Sequence, residues 1–85
     1  MKTIHVLIHT FETWPDRPHL ELYEDKSDAV HRALTIVRER IDGHVDDDER
    51  KRAFSGTELT TDIVSLLGYY REEHIEVRPL EVQES

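Results

Sequence analysis

Cysteine is absent from the 85 residues, which excludes disulfides, thiolate zinc sites and cysteine nucleophiles together. Only three glycines occur, at positions 43, 56 and 68, too dispersed to form a phosphate-cradling loop. No apolar run approaches the ~18 residues of a membrane-spanning helix, and no apolar signal-peptide core follows Met1 and Lys2. Positive charge is also scarce: 11 Lys and Arg stand against 19 Asp and Glu, a formal net charge of −8. Non-specific nucleic-acid affinity comes mostly from cations that neutralise phosphates, and anionic membranes attract the same cations. The charge balance therefore predicts neither direct nucleic-acid binding nor membrane docking. With neither leader nor span in view, the expectation is a small acidic cytoplasmic protein.

A chain this short holds one hydrophobic core. We expect a single domain over residues 1–82 and a flexible tail over 83–85. Hydrophobic residues make up 36% and charged residues 35%, proportions that lean towards disorder. The apolar positions nevertheless fall into periodic segments, which disorder does not produce.

Residues 3 to 11 alternate and are β-branched and aromatic-rich, predicting a strand with Ile4, Val6 and Ile8 on one face and His5, Leu7, His9 and Phe11 on the other. Residues 12 to 18 hold Pro15, Asp16 and Pro18 and read as a loop. Residues 19 to 24 alternate again and are expected to pair antiparallel with the first strand. Asp25 or Ser27 then offers an N-cap, and Val30, Ala33, Leu34, Val37 and Ile41 form one helical stripe closed by Gly43. Asp46 and Glu49 have capping-box spacing ahead of a short second helix running to about Phe54. A third helix is predicted over 57–71, with Leu59, Ile63, Leu66, Leu67 and Tyr70 inward and Tyr69 at a rim. Gly68 within it marks either a close contact or an early end. Residues 74 to 82 alternate, and Pro79 points to an edge strand or bulge.

The predicted fold class is α+β: a three-stranded antiparallel sheet in the order strand-strand-helix-helix-helix-strand, with helices on one face and the first strand central. The helices are expected to cover Ile4, Val6, Ile8, Leu20, Leu22, Ile75 and Val77. His5, Leu7, His9, Phe11, Glu21, Tyr23 and Glu76 would then line the opposite face, a candidate contact surface if left open.

Six histidines raise the question of a metal. His5 and His9 share a face but lie about 13 Å apart along a strand, too far to share one ion. His9, His19 and Glu21 could meet across the hairpin, and His44 sits beside Asp46, Asp47 and Asp48. Neither set has the spacing of a known metal motif. The same His9, His19 and Glu21, or His74 with Glu72, would serve an acid–base enzyme. Ser55, Thr57, Thr60 and Thr61 read as helix-start residues rather than nucleophiles. We therefore expect no catalytic residue, no metal and no cofactor.

Acidic residues and one tryptophan carry more information. Asp46, Asp47, Asp48 and Glu49 open the second helix, and Glu72, Glu73, Glu76, Glu81 and Glu84 follow later. Such a surface complements the basic groove of a nucleic-acid-binding protein. Trp14, with Arg17 three residues on, is of the kind that anchors interfaces. The alternative is that Trp14 folds back over Phe11.

The opening Met-Lys-Thr-Ile-His-Val-Leu-Ile-His, the Tyr-Glu-Asp-Lys-Ser-Asp-Ala stretch at the first helix and the closing Ile-Glu-Val resemble small acidic proteins of phages and mobile elements, of the anti-CRISPR type. That resemblance is one of layout and charge, and it implies an inhibitor of a nucleic-acid-handling complex in the host cytosol. The leading expectation is accordingly a non-catalytic acidic binding protein, with Trp14, Arg17, Asp46, Asp47, Asp48 and Glu49 contacting a protein partner. A homodimeric scaffold using the open sheet face is the alternative, followed by a small metal-dependent enzyme.

Overall fold

The computed structural model describes residues 2–83. Its elements are β1 (Lys2–Phe11), β2 (Trp14–Tyr23), α1 (Lys26–Arg40), α2 (Asp47–Ala53), α3 (Thr61–Arg71) and β3 (Glu73–Val82). The three strands form one antiparallel sheet in the order β2-β1-β3. The α+β class, the element order and the central first strand are as the periodicity predicts. Helix α1 packs on all three strands, and α3 packs on β3 and α1, so the helical layer lies on one face. Of the tail expected at 83–85, Gln83 follows β3 without regular structure; 84 and 85 lie outside the described residues.

Ile75 and Val77 of β3 face the helices as expected, but on β1 and β2 the covered face is the reverse of the expected one. Register fixes this: Leu7 pairs with Glu21 and Val77, and His9 with His19 and Ile75. Ile75 and Val77 therefore share a face with Leu7 and His9, not with Ile4 and Val6. Leu7 and Ile75 are fully buried against Ala33, Val37, Ile41, Ile63 and Leu67. On the other face, Ile4 pairs with Leu80, Val6 with Leu22, and Ile8 with Leu20. Counting apolar residues on β1 alone favours burying Ile4, Val6 and Ile8. The choice is made instead by the inward parity of Ile75 and Val77, and by an ion network that gives His9 a buried partner. A proposed dimer face of His5, Leu7, His9 and Phe11 is ruled out because it lies beneath the helices.

Local chemistry explains the helix bounds. Asp25 holds the N-cap position of α1 in extended backbone without a side-chain capping hydrogen bond, and the helix stripe buries Ala29, Ala33, Leu34, Ile36 and Val37. Gly43, at φ 87°, takes the left-handed conformation that costs glycine least and turns the chain after α1. Thr60 accepts the Ile63 N–H at 3.3 Å, so α3 starts at Thr61 rather than 57. Leu59 still packs on the core from the preceding turn. Gly68 does not end α3; its carbonyl accepts the N–H of Glu72, a left-handed C-cap at φ 55°. That reversal feeds α3 into β3 with no intervening loop.

Candidate functional site

The open sheet face is built by strand parity. Ile4, Val6 and Ile8 of β1 are flanked by Leu20 and Leu22 of β2 and by Leu80 of β3. Leu20, Leu22, Leu80 and Val82 stay exposed, Leu22 to 66%. Most exposed apolar residues on a folded protein are scattered singly. Here they are neighbours across three strands, the arrangement that marks contact surfaces. The charged residues of this face come in opposite pairs. Arg78 donates to Glu76 at 2.9 Å, and Lys2 donates to Glu24 at 2.7 Å at the end of the sheet.

The expected partner-binding residues lie elsewhere, in two groups. Trp14 and Arg17 sit at the hairpin tip, in strand β2 rather than in a loop. Phe11 pairs with Trp14 while His9 pairs with His19, so residues 15–18 bulge opposite Thr10. Pro15 and Pro18, which lack N–H donors, fall within this irregular stretch, where few ladder bonds are lost. Trp14 is 58% exposed, with the Arg17 guanidinium 5.9 Å from its ring centroid. Asp46, Asp47, Asp48 and Glu49 are at the start of α2, and part of this set is committed to local structure. Asp46 accepts the Glu49 N–H at 2.7 Å, as the spacing predicts, and Asp47 pairs with Arg50. Helix α2 buries none of its residues. Among the described residues, no hydrogen bond, ion pair or ring contact joins the hairpin tip to α2.

Two polar clusters occupy the helix-covered side. Glu73, expected on the acidic surface, is buried at the start of β3. It receives Arg40 through Nε at 3.0 Å and Nη2 at 2.6 Å, and it meets His9 Nε2 at 2.6 Å. Arg71 Nε approaches to 3.5 Å. Burial alone would raise the Glu73 carboxyl, but the Arg40 and His9 hydrogen bonds outweigh it and hold it below the usual range. The His9 ring also lies 4.3 Å from that of Phe11. This network binds the ends of β1, α1 and α3 to the first residue of β3. Only the i, i+64 separation of His9 and Glu73 conceals it from sequence inspection.

The second cluster centres on Glu21. The Tyr23 hydroxyl donates to it, His19 Nε2 lies at 2.6 Å and Arg32 Nε at 3.3 Å. The Tyr23 hydrogen bond, ahead of the opposing effect of burial and with help from His19 and Arg32, lowers the Glu21 carboxyl. His9 and His19 are cross-strand partners, yet they turn to different carboxylates and share no site. No group of three His, Asp or Glu side chains among the described residues is placed to hold a metal ion. A cleft of about 870 Å³ beside β3 is lined by Lys26, Val30, Leu59, His74 and Ile75 among others. No hydrogen bond among the described residues couples His74 to a carboxylate in a catalytic pair.

No helix among the described residues is long and apolar enough to cross a membrane. Comparison with family models, curated proteins and solved structures finds no match to this chain.

Proposed function

We propose that this chain is a non-catalytic binding protein whose docking surface is the open face of its sheet. The observation that supports this reading is the contiguous exposure of Leu20, Leu22 and Leu80 around Ile4, Val6 and Ile8. Covering such aliphatic surface is favourable by about 25 cal/mol per Å² before the costs of association. The partner's chemistry follows: a folded protein with a flat apolar face, bordered by charges that can meet Glu76 and Arg78. The test compares capture by the tagged wild type with capture by Leu22→Glu and by an Asp47→Lys, Asp48→Lys variant. Specific binding lost in Leu22→Glu and kept in the charge variant supports the reading. Binding indifferent to Leu22→Glu overturns it.

A second reading keeps the acidic inhibitor of a nucleic-acid-binding complex, of the anti-CRISPR type. Its support is the exposure of Asp46, Asp47 and Asp48 together with the net charge of −8. It predicts the opposite pattern: binding released by about 0.5 M salt, where screening shortens to a few ångströms, and lost on reversing Asp47 and Asp48.

A further inference from the structure

We infer that the occupant of the open sheet face is a second copy of this chain, packed sheet to sheet about a two-fold axis. The inference rests on the docking role proposed above and names the partner for that surface. Three observations favour a like copy over an unlike protein.

The first is area. The chain exposes 6151 Å², whereas monomers of 10.1 kDa expose about 5,300 Å². The excess of roughly 850 Å² matches the ~800 Å² that each partner buries in a standard stable interface. The shape agrees: the extents are 49 × 29 × 17 Å and the radius of gyration is 13.8 Å, against about 12 Å for a compact domain of this length. One copy is a thin slab with a single helical layer. Two copies joined through their sheets make a four-layer body with helices outside and two apolar sheet faces about 10 Å apart.

The second is the composition of the face. Its aliphatic residues come from all three strands, with no aromatic ring among them, and Glu76 and Arg78 of β3 stand beside Ile8 and Val6. Interfaces of permanent homodimers are more apolar than separable ones and resemble a domain core cut in half. The only tryptophan, Trp14, lies on the hairpin tip across from Phe11, away from this surface.

The third is charge. Two chains of −8 repel through most of their surfaces. The open face is the exception, since Lys2, Arg78, Glu24 and Glu76 cancel. A two-fold axis crossing the strands between the Val6 and Ile8 rows sets β1 on β1. Val6 then faces Ile8 of the second copy, Leu22 faces Leu20, and Arg78 faces Glu76. The Glu76–Arg78 pair present within one chain thus becomes a self-complementary pair between chains.

Sedimentation equilibrium of the purified chain, with circular dichroism of each variant to confirm folding, tests this. The wild type is expected at twice the 10.1 kDa of one chain, and Leu22→Glu at the single-chain mass with an unchanged spectrum. Arg78→Glu and Glu76→Arg each place like charges opposite one another and should each weaken self-association by about tenfold. Mixed one to one, they should recover it, because each contact again joins opposite signs. A folded wild type at the single-chain mass overturns the inference. In that case, capture of an unlike partner lost in Leu22→Glu leaves the docking role of the face standing. A dimer that survives Leu22→Glu, or a mixture no tighter than its components, overturns the inference and places the contact on another surface.

Discussion

Replacing Glu73 by Gln removes one charge while keeping size and shape, and the consequences can be worked out from its surroundings. The carboxylate is held by Arg40 at 2.6 and 3.0 Å and by His9 at 2.6 Å, with its side chain only 4% exposed. Breaking a buried ion pair from one side typically costs 3–5 kcal/mol, because the remaining charge keeps its desolvation without its partner. Arg40 is 37% exposed and can rehydrate in part, which points to the lower end, about 3 kcal/mol. For a domain of this length each kcal/mol shifts the melting temperature by about 4–8 °C, so Glu73→Gln should melt roughly 12–24 °C lower at pH 7. The pH dependence follows from the direction of the shift. The Glu73 carboxyl titrates lower in the folded chain than in the unfolded one. Its contribution is therefore fully present above the unfolded value of about 4.3. It is lost as pH falls through the lower folded value. Thermal unfolding of both proteins between pH 7 and pH 2.5 should show a gap that is steady above the unfolded value and narrows as pH falls below it. A gap under about 1 kcal/mol at pH 7, or one that does not narrow in acid, would refute the reasoning.

Two further predictions concern the core and the short helix. Leu7 is fully buried whereas Val6 is not, so Leu7→Ala should cost about 2–5 kcal/mol and Val6→Ala well under half of that in a monomeric background such as Leu22→Glu; denaturant unfolding of the two compares the faces directly. Asp46→Ala removes the cap on Glu49 and should cost about 1 kcal/mol. Because α2 buries none of its residues, the loss should appear as faster amide exchange at Glu49 and Arg50 rather than as global destabilisation.

Local patterns account for most of the architecture. The α1 stripe, the Asp46 cap and the inward turn of Tyr70 beside an outward Tyr69 all follow from spacings of three or four residues. The sheet was harder to read because its key information is non-local. On β1 both alternating sets are partly apolar, so either could face the helices. The decision lies in β3, where Ile75 and Val77 fall opposite His9 and Leu7, and in a carboxylate 64 residues from its histidine. Nothing in Arg71-Glu72-Glu73-His74 separates the exposed Glu72 from its buried neighbour, so the sequence alone groups Glu73 with the solvated acids. The left-handed Glu72 makes that separation by turning the next side chain under α1. The alternation of β1 and β2 alone places Leu20 and Leu22 with the core, whereas the register puts them, with Leu80, on the open face. The residues singled out for contact, Trp14, Arg17 and Asp46 to Glu49, are exposed or half-buried but are not gathered into one place.

The most direct measurement is solvent access to the leucine methyl groups of the wild-type chain in solution, read by NMR with a freely diffusing paramagnetic probe. Leu34 and Leu67 are buried within one chain and provide the protected reference. If the open sheet face is covered by a second copy of the chain, Leu20, Leu22 and Leu80 should be broadened no more than those two, and Leu22→Glu should make Leu20 and Leu80 accessible. Leu20, Leu22 and Leu80 methyls broadened in the wild type in proportion to their exposure in the single chain would contradict pairing of two copies through this face.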